Sequence, residues 1–126
     1  MDEKKFFQLK DVEAYRVSFR LSNYVWRVVL TWDGFSRNTI GNQFVRAIDS
    51  VSANIAEGFG RYGKKDKIKF FRYSKGSLYE CLDWNQKAKT RNLLKKEEYE
   101  FIFNELQRIP KAINSLILFT DQKLKI

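Results

Sequence analysis

The residues of this sequence that are best suited to chemistry are cations, and they are concentrated in one segment. Residues 61–75 contain seven lysines or arginines and one aspartate. Such side chains bind phosphate groups and release the counterions that are condensed on a nucleic acid. The segment therefore predicts a surface for polyanions. The residues that we expect to form it are Arg61, Lys64, Lys65, Lys69 and Arg72.

A second group of cations, Arg16, Arg20 and Arg27, lies nearer the start of the chain. On a helix these three side chains fall within about 40° of one another. The stripe is either an ordinary solvated face or a supporting part of the anion-binding surface. Tyr62 and Tyr73 lie within the basic segment, and either they stack on unpaired bases or they pack with their hydroxyl groups in water.

Groups suited to catalysis are scarce. The 126 residues include no histidine, and the one cysteine, Cys81, lies among apolar residues, so we expect an inert core thiol. Asn54, Glu57 and Arg61 have helical spacing and could form a polar site with Glu57 as a base. We prefer a structural role, in which either Glu57 pairs with Arg61 or Asn54 and Glu57 satisfy buried polar groups at the helix end. Histidine is the usual general base and the commonest metal ligand. We therefore predict no catalytic residues, no metal, no cofactor and no enzymatic activity.

Long amphipathic helices must position these groups. One proline and six glycines interrupt the chain, and apolar residues recur at three- and four-residue intervals. Short connections favour antiparallel neighbours. We predict one all-α domain over residues 1–126, an up-and-down antiparallel four-helix bundle with helices at about 12–32, 39–57, 64–91 and 96–120. Gly58 and Gly60 are expected to close the second helix in left-handed backbone.

The first predicted helix carries more apolar surface than one position in a bundle hides. The side that we assign to the core contains Val12, Tyr15, Phe19, Trp26 and Val29. A second apolar side contains Ala14, Val17, Leu21, Val25, Val28 and Trp32. Large exposed apolar patches are uncommon on soluble monomers, so the excess predicts self-association or a docked partner. Deeper burial of this helix within a single chain is the alternative.

The stretch at residues 43–80 is recognisable as a whole. Its most specific part is the run ANIAEG at residues 53–58, which is followed by KK at 64–65 and FFR at 70–72. These residues closely resemble the bacterial four-helix-bundle family named after the protein encoded in 23S rRNA intervening sequences, and the likeness extends over almost the whole chain. Ser52 stands where that family usually has proline.

The resemblance implies a ring of bundles, with a homopentamer as the expected state. It also implies a basic surface, since relatives include the accessory protein of diversity-generating retroelements, which binds a reverse transcriptase and nucleic acid. We predict a non-catalytic homo-oligomer that binds nucleic acid, RNA in preference to DNA. The alternative is a scaffold that presents a face to a polymerase or reverse transcriptase and binds no nucleic acid itself.

The sequence also predicts where the protein is located. A single cysteine cannot form an internal disulfide, and the first residues are charged, without the apolar run of a signal sequence. No apolar stretch approaches the length of a membrane span. We expect a cytoplasmic protein that does not contact membranes.

Overall fold

The computed structural model describes residues 7–124, and the long elements within this range are helices. The ends of the predicted domain, residues 1–6 and 125–126, lie outside the described residues. None of the helices between residues 7 and 124 is both long enough and apolar enough to cross a membrane. The four main helices are α1 (Glu13–Leu30), α2 (Asn42–Gly60), α3 (Lys64–Thr90) and α4 (Lys96–Lys123).

The helices pack in the order in which they occur along the chain. α1 packs against α2 and α4, and α3 packs against the same two helices, so α1 and α3 lie diagonally across the bundle. Short connections join consecutive helices and make neighbours antiparallel. The predicted all-α, up-and-down four-helix bundle is confirmed.

The buried side of α1 is the aliphatic one. Leu21 and Val25 are fully buried, whereas Phe19 and Trp26 remain 49% and 52% exposed. The assignment of Phe19 and Trp26 to the core was therefore wrong. The two apolar sides lie roughly 130° apart on the helix, and α2 and α4 cover the side of Leu21. We call the uncovered residues Phe19, Trp26 and Leu30 the α1 strip.

The second helix was predicted to begin at about residue 39, but the chain is already helical from Gly34 onward. The side chain of Asp33 accepts a hydrogen bond of 2.9 Å from the backbone N–H of Ser36 and so caps a helical turn at Gly34–Ser36. A π-helical turn at Arg37–Gly41 then leads directly into α2. Gly41 permits this path, because a Cβ there would lie 2.7 Å from Cγ1 of Val29.

Gly58 holds α2 close to α3. A Cβ at this position would lie 2.7 Å from Cε1 of Phe71 and 2.9 Å from the backbone oxygen of Lys67. All six glycines are among the described residues and none has a positive φ, so the left-handed backbone predicted at Gly58 and Gly60 is wrong. Gly58 is required for its missing side chain and not for its backbone freedom. α2 also continues through Ser52 without interruption.

Candidate nucleic-acid interface

A groove between the first half of α3 and the last turns of α4 collects four of the predicted cations. Its volume is about 910 Å³, and it is open to solvent. We call it the basic groove. Among its described lining residues, Asp121 is the one carboxylate. The cations that line it are Lys64, Lys65, Lys69 and Arg72.

Local sequence explains why α3 places these cations together. Gly63, with extended backbone, precedes the helix, so α3 begins at Lys64. Lys65, Lys69 and Arg72 follow the i, i+4, i+7 spacing of one helix face. Ile68 lies between them in the sequence but is buried. The three cations therefore stay at the surface, where they line the groove beside α4.

The position of the cations at the start of α3 opposes the helix dipole. The N-terminal turn of a helix carries partial positive charge and favours acidic side chains. Lys64 and Lys65 occupy this turn, and Asp66 is its one acidic residue. Helix stability therefore does not account for this cluster, whereas an external anion would interact favourably with both the dipole and the lysines.

Two of the groove lysines already have acidic neighbours. Nζ of Lys64 is 3.1 Å from the backbone oxygen of Asp121 and 3.7 Å from its Oδ1. Nζ of Lys69 is 3.3 Å from Oδ1 of Asp66. Exposed pairs of this kind contribute about 0–1 kcal/mol, so a phosphate group can displace them at little cost.

Arg61 lies outside the basic groove, at the corner where α2 turns into α3. Its guanidinium is 2.7 Å from Oε2 of Glu57 and 3.4 Å from Oδ2 of Asp66, and it lies 4.5 Å from the ring centroid of Phe70. The expected ion pair between Glu57 and Arg61 is confirmed. Asn54 instead donates a hydrogen bond of 2.8 Å to the backbone oxygen of Ser50. The charge of Arg61 is thus largely compensated within the chain.

The three arginines of the predicted stripe are exposed on α1. In the part of the chain that the structure describes, none of Arg16, Arg20 and Arg27 lines the basic groove. α1 is diagonal to α3, and α4 lies between them and borders both. A single protomer therefore brings four of the eight predicted cations together in the basic groove, and the stripe contributes no residue to that groove.

The two tyrosines have different positions. Tyr73 lines the basic groove, and its ring meets that of Phe70 edge to face at 5.4 Å. Tyr62, in the turn between α2 and α3, is 84% exposed and lines neither this groove nor any other described pocket. Only Tyr73 is thus placed beside the cations, and base stacking by either ring stays a prediction.

Cys81 is enclosed in the core. Burial raises the pKa of its thiol, and the nearby Glu80 and Asp49 carboxylates raise it further. The thiol therefore stays protonated and unreactive at neutral pH, as expected. Residues 7–124 contain no group of three or more His, Cys, Asp or Glu side chains that could hold a metal ion.

Sequence reasoning did not name the α4 wall of the groove. Asn114, Ile117, Leu118 and Asp121 form that wall. Their i, i+3, i+4, i+7 spacing is a readable sign of one helix face. The spacing does not show which other helix this face of α4 packs beside. Residues that meet across the groove, such as Lys64 and Asp121, are 57 positions apart in the chain.

Over residues 7–124, these features define a basic all-helical bundle with a groove that four cations line. The chain matches the model of the 23S rRNA-intervening sequence protein family over residues 10–115, and it belongs to that family. A solved structure from Bacteroides thetaiotaomicron, described as a protein of unknown function from the S23 ribosomal protein family, is similar with a TM-score of 0.73. The two share 21% identity over 82% of this chain and 97% of that chain, a likeness that shows the fold. A comparison with curated proteins finds no match.

Proposed function

We propose that this protein is a non-catalytic, cytoplasmic oligomer that binds nucleic acid, RNA in preference to DNA, through the basic groove. The observation that carries the proposal is the convergence of Lys64, Lys65, Lys69 and Arg72 on one groove. Cations on a preformed surface bind phosphates with strong salt dependence and little dependence on sequence. RNA is preferred on the grounds of the family resemblance.

Assembly into a ring, with a pentamer as the expected state, would multiply this binding. The α1 strip supports the proposal, because it exposes Phe19, Trp26 and Leu30 along one helix. Exposed apolar surface of this kind marks an interaction site. A strand that spans several protomers then gains from the effective concentration of neighbouring grooves.

The alternative function is a scaffold that holds a nucleic-acid enzyme without binding nucleic acid itself. Its support is a pair of exposed aromatic side chains on different sides of α4, Phe101 and Phe103, which are 43% and 38% exposed. Aromatic side chains are enriched at protein interfaces. In this case the positive charge would raise the rate at which the protein associates with an acidic partner.

A salt series distinguishes the two functions. Fluorescence polarisation with a labelled mixed-sequence single-stranded RNA measures the dissociation constant at increasing salt concentration. Four phosphate contacts on a single strand predict a slope of about −3 in a plot of log K against log salt. A steep linear slope supports nucleic-acid binding. Undetectable binding in dilute buffer would contradict it and favour the scaffold.

A further inference from the structure

A second groove continues the basic groove along the same pair of helices. Its volume is about 290 Å³, and it lies between the second half of α3 and the middle of α4. Its walls are mainly apolar and include Tyr79, Leu82 and Pro110, with the amide of Gln107 at its edge. We call it the apolar groove. Its residues belong to neither the predicted cation set nor the α1 strip.

One hydrogen bond marks the junction of the two grooves. Nζ of Lys75, which lines the apolar groove, donates to Oδ1 of Asn114, which lines the basic groove, at 2.8 Å. Lys65, Arg72 and Tyr79 are spaced seven residues apart and so share one side of α3, at intervals of about 10.5 Å. A row of cations therefore ends at an aromatic ring beside an apolar groove.

Tyr79 has no role in the core of the described bundle. The side chain is 74% exposed, although its ring lines the apolar groove. An exposed aromatic ring beside a cationic track is the arrangement that binds single-stranded nucleic acids, since any base can stack on such a ring. Leu82 and Pro110 supply an apolar wall, and the Gln107 amide offers both a donor and an acceptor to the edge of a base.

We propose that the apolar groove accepts an unpaired base of a single-stranded nucleic acid whose phosphates lie in the basic groove, with Tyr79 as the stacking surface. The inference rests on the proposed function and goes further, because it makes the ligand single-stranded. A duplex offers its phosphates to the basic groove, but its bases are paired and cannot enter the apolar groove. The protein therefore prefers single strands to duplexes of the same sequence.

The test compares one single-stranded RNA with its own duplex at one salt concentration. Tyr79→Ala is expected to weaken binding of the single strand about fivefold or more and to leave duplex binding unchanged. Tyr79→Phe keeps the ring and is expected to bind the single strand as the wild type does. Phe35→Ala is the matched control, since it removes an aromatic side chain that is 79% exposed and lines neither groove.

Four outcomes overturn the inference. Equal losses on the single strand and the duplex would mean that Tyr79→Ala perturbs phosphate binding, and no loss on either would mean that no base occupies the groove. A smaller particle for Tyr79→Ala in light scattering would make the groove a contact between copies of the chain. If the wild type binds neither RNA, the proposed function itself fails and this inference with it.

Discussion

Lys64 at the start of α3 reaches Asp121 near the end of α4, with its Nζ 3.1 Å from the backbone oxygen and 3.7 Å from Oδ1 of Asp121. The contact closes one end of the basic groove. It also places a carboxylate at the site where we expect a phosphate to bind. Asp121 and an incoming phosphate therefore compete for the same lysine.

Asp121→Asn is expected to raise RNA affinity. The substitution removes the competing charge and keeps the size of the side chain, and an exposed pair of this kind contributes about 0.2–1 kcal/mol, or about 1.4- to fivefold in affinity. Polarisation in dilute buffer measures the change. Glu100→Gln, an exposed carboxylate in the first turns of α4, is the control for net charge. Reduced affinity of Asp121→Asn would contradict this role of the carboxylate.

Gly58→Ala is expected to destabilise the bundle by about 1–3 kcal/mol, because the new Cβ meets the ring of Phe71 and the backbone of Lys67. Gly76→Ala is the matched control. No atom lies within 4 Å of a Cβ at that helical position, so alanine there should stabilise the protein by about 0.5–1 kcal/mol. Urea unfolding measures both free energies. Equal effects of the two substitutions would show that α2 and α3 do not approach closely at Gly58.

The buried thiol predicts a specific pH dependence. Burial raises the pKa of Cys81 in the native state, whereas a free thiol titrates near pH 8.5. Above about pH 9 the unfolded chain loses a proton that the native state keeps, so this group lowers the free energy of unfolding by up to about 1.4 kcal/mol per pH unit.

Cys81→Ala lacks this contribution at every pH, although it costs packing energy throughout. Urea unfolding from pH 7 to pH 10 measures the free energy of unfolding of both proteins. The difference between the wild type and Cys81→Ala should become smaller above pH 9. Other titrating groups are common to both proteins and cancel in the difference. Parallel stability curves over the whole range would mean that Cys81 ionises freely in the native state.

The α1 strip predicts that self-association depends on two aromatic side chains. Phe19→Glu with Trp26→Glu is expected to reduce the particle mass in light scattering, since burying two carboxylates in an interface is costly. Circular dichroism should show unchanged helix content, because both side chains point away from the core. Tyr62→Glu is the control at another exposed aromatic residue. A monomeric wild type, or an unchanged mass for the double variant, would contradict the proposed assembly.

The sequence predicted the helices better than their faces. Aliphatic and aromatic residues of α1 repeat with the same period, so periodicity could not decide between Leu21 and Phe19 as the core residue. The neighbouring helices make that choice. The role of Gly58 was likewise misjudged. Glycine is needed there because a side chain would collide with Phe71, which is 13 residues away in the chain. Asp33 caps the helical turn at Gly34–Ser36. Aspartate is a common N-cap residue, so this cap could have been predicted from the sequence, but it was missed.

One wall of the basic groove could be predicted from the sequence, and the other could not. Its α3 wall follows from cations at helical spacing on a helix that begins after Gly63. Its α4 wall depends on which turns of two antiparallel helices face each other, and this register is set by the packing of the whole core. The compensation of Arg61 by Asp66 also required the geometry of the turn, because the two side chains meet at 3.4 Å across it.

The salt dependence of RNA binding by a triple variant tests the central claim most directly. Lys64→Gln, Lys65→Gln and Lys69→Gln together should weaken binding and reduce the slope of log K against log salt by about 2, the share of three contacts to a single strand. The matched control replaces Arg91, Lys95 and Lys96, which are exposed at the opposite end of α3, with Gln and should keep the wild-type slope. Equal slopes and affinities for the two triple variants would contradict the account.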